Sequence, residues 1–204
     1  MEPFQTVKSI PTPFLRNNID TDVIISSRYL KTVSRLGLGE GTFAAVRFLA
    51  DGSPDPDSVF NQPRFSQSQI LVAGDNFGCG SSREHALWGL SDLGYRCIIA
   101  PGFADIFASN AYKNGILTVV LDPEQVERVA AEGEAGHEIL VDLPNQSLHL
   151  SDGTVHAFSL DPFRRKCLLE GLDEVGLTLK DHGDAIAAFE AQQKQQMPWL
   201  YRSS

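Results

Sequence analysis

The chain has 204 residues, of which 42% are apolar and 21% are charged, a composition that predicts a globular protein with a substantial core. The formal net charge of −9, without a run of Lys or Arg, argues against a nucleic-acid partner. The start of the chain has neither a basic stretch nor an apolar run of signal-peptide length. No segment approaches the roughly 18 apolar residues of a membrane span, so we expect a cytoplasmic chain without membrane contact.

One domain is predicted for residues 1–204, with one long connection and a C-terminal tail. The glycines and the run Asp51-Gly52-Ser53-Pro54-Asp55-Pro56 predict a loop over residues 35–68. A connection of this length usually serves a site or a partner, or is mobile. Residues 194–204 are interpreted as a tail that continues the last helix and then frays.

Strand and helix patterns alternate in the middle of the chain. Apolar runs predict strands at residues 70–73, 97–100 and 116–121. Between them, apolar residues at helical spacing predict a helix through residues 86–93 and another over residues 104–113. The order of these elements is therefore β-α-β-α-β.

The second half of the chain begins with a helix, for which Asp122 is the predicted N-cap and Pro123 the first helical residue. Turn residues then separate three stretches of strand character, as in a β-meander. The strand-like stretches are 138–143, 147–150 and 154–160, and two further helices are predicted at about 162–170 and 184–193. These elements predict a layered α/β domain that is not a purely parallel sheet.

The densest group of unusual residues runs from Gly74 to His85 and follows the first strand of the series. Ligands of α/β proteins gather where parallel strands end and helices begin. Free backbone N–H groups and glycines there favour an anion, and Arg83 adds a forked donor suited to a carboxylate.

Three generic motifs come close in this loop, and each fails at a particular residue. A dinucleotide fingerprint needs a small residue in place of Arg83, and a P-loop needs a Gly-Lys-Ser/Thr that is missing. A nucleophile elbow around Ser82 needs glycine in place of Glu84. The pattern leaves two interpretations: an anion site, or a glycine-rich turn in which Ser81 or Ser82 only caps a helix, worth about 1 kcal/mol.

The run Asn76-Phe77-Gly78-Cys79-Gly80-Ser81-Ser82-Arg83-Glu84-His85-Ala86 resembles the signature of the aconitase superfamily swivelling domain, in the form typical of isopropylmalate dehydratase small subunits. Three further stretches match in the same order, at residues 18–24, 100–107 and 161–179. Leu87 departs from the proline of the family motif, outside the Ser-Ser-Arg core.

The resemblance implies an α/β fold, a layered β/β/α swivelling domain of aconitase type with a mixed sheet and C-terminal helices. It also implies a hydro-lyase of leucine biosynthesis, which interconverts 2-isopropylmalate and 3-isopropylmalate through isopropylmaleate. By the same resemblance, Ser81 is the base and Arg83 binds a substrate carboxylate, while Gly80 and Ser82 belong to the substrate-binding loop.

A partner and a cofactor follow from the same resemblance. Such a subunit works only with a large subunit, as a heterodimer or larger assembly, and the 4Fe–4S cluster is expected on that partner. Cys79, Cys97 and Cys167 lack the close spacing of cluster ligands, and the five histidines show no compact metal motif. We therefore expect no metal bound by this chain.

A second candidate segment lies nearer the N-terminus. Asp20-Thr21-Asp22 is either a carboxylate pair or an ordinary turn, and by resemblance it borders the site, with Asp22 orienting a neighbouring residue. Arg28, Lys31 and Thr32 follow in a loop that the family uses to recognise the side group of the substrate; the alternative is a solvated basic turn.

Several alternatives stay open at this point. A related hydro-lyase acting on citraconate, dimethylmalate or homoaconitate would share the Ser-Ser-Arg signature. A non-catalytic module could bind a dicarboxylate at the same loop, and a purely structural protein would use the loop as a turn. The apolar patch Trp199 to Tyr201 either docks on a partner or folds back on its own domain.

Overall fold

The structure is a computed structural model and describes residues 1–29 and 36–201. Its strands are β1 (Thr6–Ser9), β2 (Thr12–Phe14), β3 (Ile70–Ala73), β4 (Cys97–Ala100), β5 (Leu117–Val120), β6 (Ile139–Asp142), β7 (Ser147–His149) and β8 (Val155–Ala157). Its helices are α1 (Thr21–Ile24), α2 (Ala44–Arg47), α3 (His85–Asp92), α4 (Asp105–Lys113), α5 (Pro123–Ala135), α6 (Pro162–Glu170) and α7 (Glu174–Gln196). None of the helices in these ranges is long and apolar enough to cross a membrane.

The strands form two sheets of different kinds. In the parallel sheet, β2, β3, β4 and β5 are neighbours in that order; Leu71 pairs with Ile98, and Ile98 with Thr118. In the antiparallel sheet the order is β1, β6, β7 and β8, and its last three strands form the expected meander. The predicted mixture of strand directions is thus divided between two sheets.

The parallel sheet lies between two hydrophobic cores. Successive side chains of a strand point to opposite faces, so Ile70 and Val72 of β3 belong to one core while Leu71 and Ala73 belong to the other. The first core also contains apolar side chains of α5 and of the antiparallel sheet. The second contains those of α3 and α4, among them Leu90 and Phe107. Burial on both faces explains why β3 and β4 are apolar throughout.

The last helix is longer than the sequence predicted. The prediction of a start near Asp184 was wrong, because α7 begins at Glu174, where the Asp173 side chain accepts a hydrogen bond from the Gly176 N–H. Glycine lowers helix propensity, and Gly176 and Gly183 weakened the pattern of this stretch. Burial of Leu177 in the first core and the Asp173 cap offset that weakness.

The long connection contains short helical pieces. Its described residues include α2 and 3-10 turns at Val59–Asn61 and Pro63–Phe65. Phe43 and Phe65 are buried and anchor this segment to the domain. At the other end of the chain, α7 continues to Gln196 and a 3-10 turn follows at Pro198–Tyr201.

Candidate active site

The glycine-rich loop between β3 and α3 is held by backbone hydrogen bonds on both sides. The N–H of Gly78 donates to the carbonyl of Ile19 at 2.8 Å, and the N–H of Thr21 donates to the carbonyl of Cys79 at 2.9 Å. On the other side, the N–H of Phe77 donates to the carbonyl of Gly102 at 3.1 Å. The segments that follow β2, β3 and β4 therefore meet at the carboxyl edge of the parallel sheet, where ligands of α/β proteins bind.

Two glycines allow this close approach. Gly78 has a φ of +79°, and a Cβ atom there would overlap the ring of Phe107. Gly80 has a φ of +100°, and a Cβ atom there would lie 3.2 Å from the Cβ of Asp20. Residues with a side chain rarely adopt either backbone conformation, so glycine at these positions lets the loop pass beside the N-terminal segment.

Ser81 lies where two side chains converge. Its Oγ is 2.7 Å from the Oγ1 of Thr21, and the Nε of Arg83 donates a hydrogen bond to the same Oγ at 2.9 Å. Thr21 is only 2% exposed, so its hydroxyl contacts Ser81 from the interior of the domain. The Ser81 oxygen is therefore held between a buried hydroxyl and a guanidinium group.

Arg83 is oriented from its other end by Asp22. The Nη2 of Arg83 donates to Oδ1 of Asp22 at 2.8 Å, and the two side chains are 32% and 62% exposed. An ion pair with this much solvent contact adds little to stability. The contact places the Asp22 carboxylate against the end of the guanidinium that is remote from Ser81.

The helix α1 directs Thr21 towards the interior of the domain and Asp22 towards solvent. Asp20 is its N-cap and accepts a hydrogen bond from the N–H of Val23 at 2.8 Å. Within the helix Thr21 is buried while Asp22 is exposed. One short turn therefore gives Ser81 a buried partner and Arg83 an exposed one.

Ser82 and Gly80 are both exposed at the surface of the loop. The carbonyl of Ser82 accepts a hydrogen bond from Nδ2 of Asn110, in α4, at 3.4 Å. The helix α3 starts at His85 with Glu84 as its N-cap, so the alternative in which Ser81 or Ser82 caps this helix was wrong. The residues from Ser81 to Arg83 precede the helix and form part of the loop itself.

The predicted recognition loop is only partly described. Arg28 is exposed, and its guanidinium lies 4.8 Å from the centre of the Tyr29 ring. Lys31 and Thr32 lie outside the described residues. Among the residues that are described, Arg28 makes no hydrogen bond to the loop that carries Ser81 and Arg83.

The cysteines do not make a metal centre. Within residues 1–29 and 36–201 there is no group of three or more His, Cys, Asp or Glu side chains that could hold a metal ion. Burial raises the pKa of the Cys97 thiol, and burial also raises that of Cys167, which disfavours the thiolate that metal ligation requires. The described residues do not fit an iron–sulfur cluster.

Thr21 and Asn110 are the contacts that sequence reasoning missed. Thr21 stood inside the segment already singled out, but the pattern drew attention to its two flanking carboxylates. Its position depends on a bridge between Asp20 and Cys79, which are distant in the sequence. The sequence placed Asn110 in a predicted helix, and nothing in the pattern indicated its contact with the loop.

Comparison with known proteins first defines the class. The sequence model of the aconitase C-terminal domain matches residues 1–124, and the model of the C-terminal domain of 3-isopropylmalate dehydratase small subunits matches residues 174–203. The crystal structure of 3-isopropylmalate dehydratase from Methanocaldococcus jannaschii has the same fold. The TM-score is 0.68 with 23% sequence identity, over 89% of this chain and 99% of that one. The fold is that of the aconitase C-terminal domain.

Full-length relatives then define the family. The 3-isopropylmalate dehydratase small subunit of Agrobacterium fabrum is 50% identical over 201 residues, and that of Paracoccus denitrificans is 50% identical over 202. The small subunit of Xanthobacter autotrophicus is 48% identical over 202 residues. Each alignment covers 98% of this chain and 100% of the relative. The chain therefore belongs to the family of 3-isopropylmalate dehydratase small subunits, components of a hydro-lyase of leucine biosynthesis.

Proposed function

We propose that this chain acts in the cytoplasm as the small subunit of a 3-isopropylmalate dehydratase and supplies a base and a carboxylate-binding group to a site completed by a large subunit. The reaction interconverts 2-isopropylmalate and 3-isopropylmalate through isopropylmaleate. The observation that carries the proposal is the convergence of Thr21 and Arg83 on the oxygen of Ser81.

Ser81 is the proposed base. A serine hydroxyl can accept a proton from carbon only if the oxygen carries negative charge in the transition state, and nearby donors stabilise that charge. The guanidinium of Arg83 and the hydroxyl of Thr21 are both within hydrogen-bonding distance of the Ser81 oxygen. A hydrogen bond to a charged group contributes about 1.5–3 kcal/mol, which is about 1–2 pKa units.

The helix after the loop contributes less than these two side chains. A helix N-terminus stabilises an adjacent negative charge by about 0.3–1 kcal/mol, and the effect falls off within one turn. Ser81 precedes His85, the first residue of α3. Since a serine hydroxyl is a very weak acid, proton removal also depends on how acidic the substrate C–H becomes in the assembled site.

The proton balance of the step is simple. Ser81 reacts as the alkoxide, after its own hydroxyl proton has left to solvent. The C–H bond next to a substrate carboxylate breaks, its proton restores the Ser81 hydroxyl, and its electron pair forms the double bond of isopropylmaleate. Hydroxide leaves from the neighbouring carbon. The 4Fe–4S cluster, which family resemblance assigns to the large subunit, would supply the Lewis acid for that leaving group. Rehydration returns the Ser81 proton to carbon.

Arg83 is the proposed carboxylate-binding group. Its contacts with Ser81 and Asp22 use Nε and Nη2, so Nη1 remains for a substrate carboxylate. Asp22 keeps the guanidinium in position while this happens. Gly80 and Ser82 present the loop backbone to the substrate, and Arg28, Lys31 and Thr32 are the proposed contacts of its isopropyl side group.

Reconstitution tests the proposal. Isopropylmaleate formation from 2-isopropylmalate is measured anaerobically for this chain, for its cognate large subunit, and for their mixture. We expect turnover in the mixture alone. If a mixture with intact cluster turns over citraconate, dimethylmalate or homoaconitate instead, the proposed substrate is wrong. If the mixture binds isopropylmalate without any turnover, the chain belongs to a binding module and the proposed enzyme activity is wrong.

A further inference from the structure

We propose that an apolar stripe on α7 is a docking surface for the large subunit. The stripe consists of Val175, Leu179, Ile186 and Phe189. The exposed fractions of Val175, Leu179 and Phe189 are 66%, 55% and 61%. The inference rests on the proposed function in one respect: the partner is taken to be the large subunit that carries the cluster.

The four residues lie on one side of the helix. They are separated by four, seven and three positions, which places them within an arc of about 80° at 3.6 residues per turn. Leu177 lies on nearly the opposite side and is buried in the first core. The stripe therefore faces away from the domain to which Leu177 attaches the helix.

The helix is anchored near its start. The hydroxyl of Tyr112 donates to Oε1 of Glu174 at 2.8 Å, and ion pairs connect Lys180 with Glu170 at 2.9 Å and Asp181 with Lys166 at 3.2 Å. In the described part of the chain, the polar side-chain contacts of α7 with α4 and α6 end at Asp181. The second half of α7 thus extends from the domain with Phe189 exposed. The turn that follows adds the exposed side chains of Met197, Trp199 and Leu200.

The stripe begins on the same side of the domain as the active-site loop. Glu84, which follows Arg83, and Val175, the first residue of the stripe, line one shallow cavity of about 190 Å³. The helix α4 links the two regions, because Asn110 bonds the carbonyl of Ser82 and Lys113 pairs with Glu174 at 3.1 Å. A protein that covers the loop can therefore also reach the stripe.

The position of the stripe in the family favours the large subunit as its occupant. The sequence model specific to the C-terminal domain of the small subunits matches residues 174–203, while the aconitase C-terminal domain model ends at residue 124. The helix is therefore a feature of the small-subunit family, whose members are named as one part of a two-part enzyme. Contiguous exposed apolar surface on a soluble chain usually marks such an interface.

Charge argues against a second copy of this chain on the same surface. Residues 173–196 contain five acidic side chains and two basic ones. Pairing two copies through this helix would bring like charges together, which disfavours association. The complementary surface is an apolar groove with basic residues along its rim.

The test compares subunit assembly for variants of the full chain. Anaerobic titration of the labelled small subunit with the cognate large subunit gives a dissociation constant for wild type, L179S, F189S and the double variant. We expect the double variant to assemble at least about tenfold more weakly, and to reach the wild-type kcat at saturating concentration. V155S is the matched control, because Val155 is 53% exposed but lies on β8, and its assembly should change less than about twofold.

Each outcome has a meaning. Unchanged assembly of the double variant, with the circular dichroism and melting temperature of wild type, would overturn the proposal. Loss of self-association in sedimentation equilibrium, with unchanged affinity for the large subunit, would identify a second copy as the occupant and also overturn it. Ser81→Ala separates the two hypotheses, because it should remove turnover without weakening assembly. If the wild-type pair is inactive but F189S binds the large subunit more weakly than wild type does, the proposed function is wrong and the docking surface is supported.

Discussion

The hydroxyl of Thr21, a residue that is 2% exposed, contacts Ser81 from inside the domain at 2.7 Å. Thr21→Val removes this hydroxyl and keeps the shape of the side chain. If the hydroxyl stabilises negative charge on Ser81, kcat should fall by roughly 10²-fold, the scale of losing one donor to a developing oxyanion, while KM changes little. Steady-state kinetics with saturating large subunit measure both constants.

Thr21→Ser is the control, because it restores the hydroxyl and removes only a methyl group. It should keep most of the activity. Equal losses in T21V and T21S would point to packing around Thr21 and contradict a hydrogen-bonding role.

At the residue scale, the sequence predicted some parts of the site better than others. Ser81, Arg83 and Asp22 could be singled out because they stand in a run of residues with a specific resemblance. Asp22 contacts Arg83, and that Asp22 orients this neighbour stays a prediction. The contact of Thr21 with Ser81 could not be predicted, because it depends on pairing between the segment after β2 and the loop after β3.

At the scale of elements, the loop between β3 and α3 passes so close to the ring of Phe107 at Gly78 that an added Cβ would overlap the ring. Gly78→Ala adds a methyl group at a φ of +79° and places it against that ring. We expect this variant to lose about 1–3 kcal/mol from overpacking, in addition to the cost of the backbone conformation. Urea unfolding followed by fluorescence measures the free energy of unfolding.

Gly136→Ala isolates the packing contribution. Gly136 has a φ of +77°, and apart from its two chain neighbours no residue has an atom within 4 Å of the position of an added Cβ. Its variant should suffer only the conformational cost. If both substitutions lower the free energy of unfolding equally, the contact with Phe107 does not constrain the loop.

Tyr95 connects the start of the parallel sheet with the turn before β4. Its hydroxyl donates to Oγ1 of Thr12 at 3.2 Å, and burial raises the pKa of Tyr95 to about 12. In the unfolded chain tyrosine loses its proton near pH 10, so above that pH the unfolded state is favoured and stability falls until about pH 12. Between pH 9 and pH 11 this group should cost about 1.4 kcal/mol.

Tyr95→Phe removes this contribution while other titrating groups stay the same. The loss of unfolding free energy between pH 9 and pH 11 should therefore be about 1.4 kcal/mol smaller in Y95F than in wild type. Identical alkaline losses in the two proteins would show that Tyr95 is not the group responsible.

Elements with a strong local signal were predicted most accurately. The strands β3 and β4 have the predicted bounds, and α5 follows its predicted cap, where the Gln125 side chain accepts a hydrogen bond from the N–H of Asp122. The strands β1 and β2 were not predicted, because each is short and gains its hydrogen bonds from distant partners. Glycines in the first half of α7 weakened the helical pattern there, so the start of the helix could not be predicted. Burial of Leu177 stabilises that half through tertiary packing.

At the scale of the whole molecule, the parallel sheet gathers three separate segments at one edge. This arrangement brings together Ser81 and Arg83, the proposed base and carboxylate-binding group, and the described residues include no metal centre. The exposed stripe of α7 begins beside the same edge. On the proposed function, one face of the domain would carry both the incomplete site and the docking surface for the large subunit that completes it.

The most direct test of this layout is the turnover of 2-isopropylmalate by the assembled enzyme with Ser81→Ala, beside Ser91→Ala as a matched control on an exposed serine. With assembly and unfolding free energy unchanged, we expect S81A to lose roughly 10²–10⁴-fold in kcat, the usual contribution of a positioned base, and S91A to match wild type. An S81A enzyme that assembles normally and turns over at the wild-type rate would contradict the assignment of Ser81 as the base.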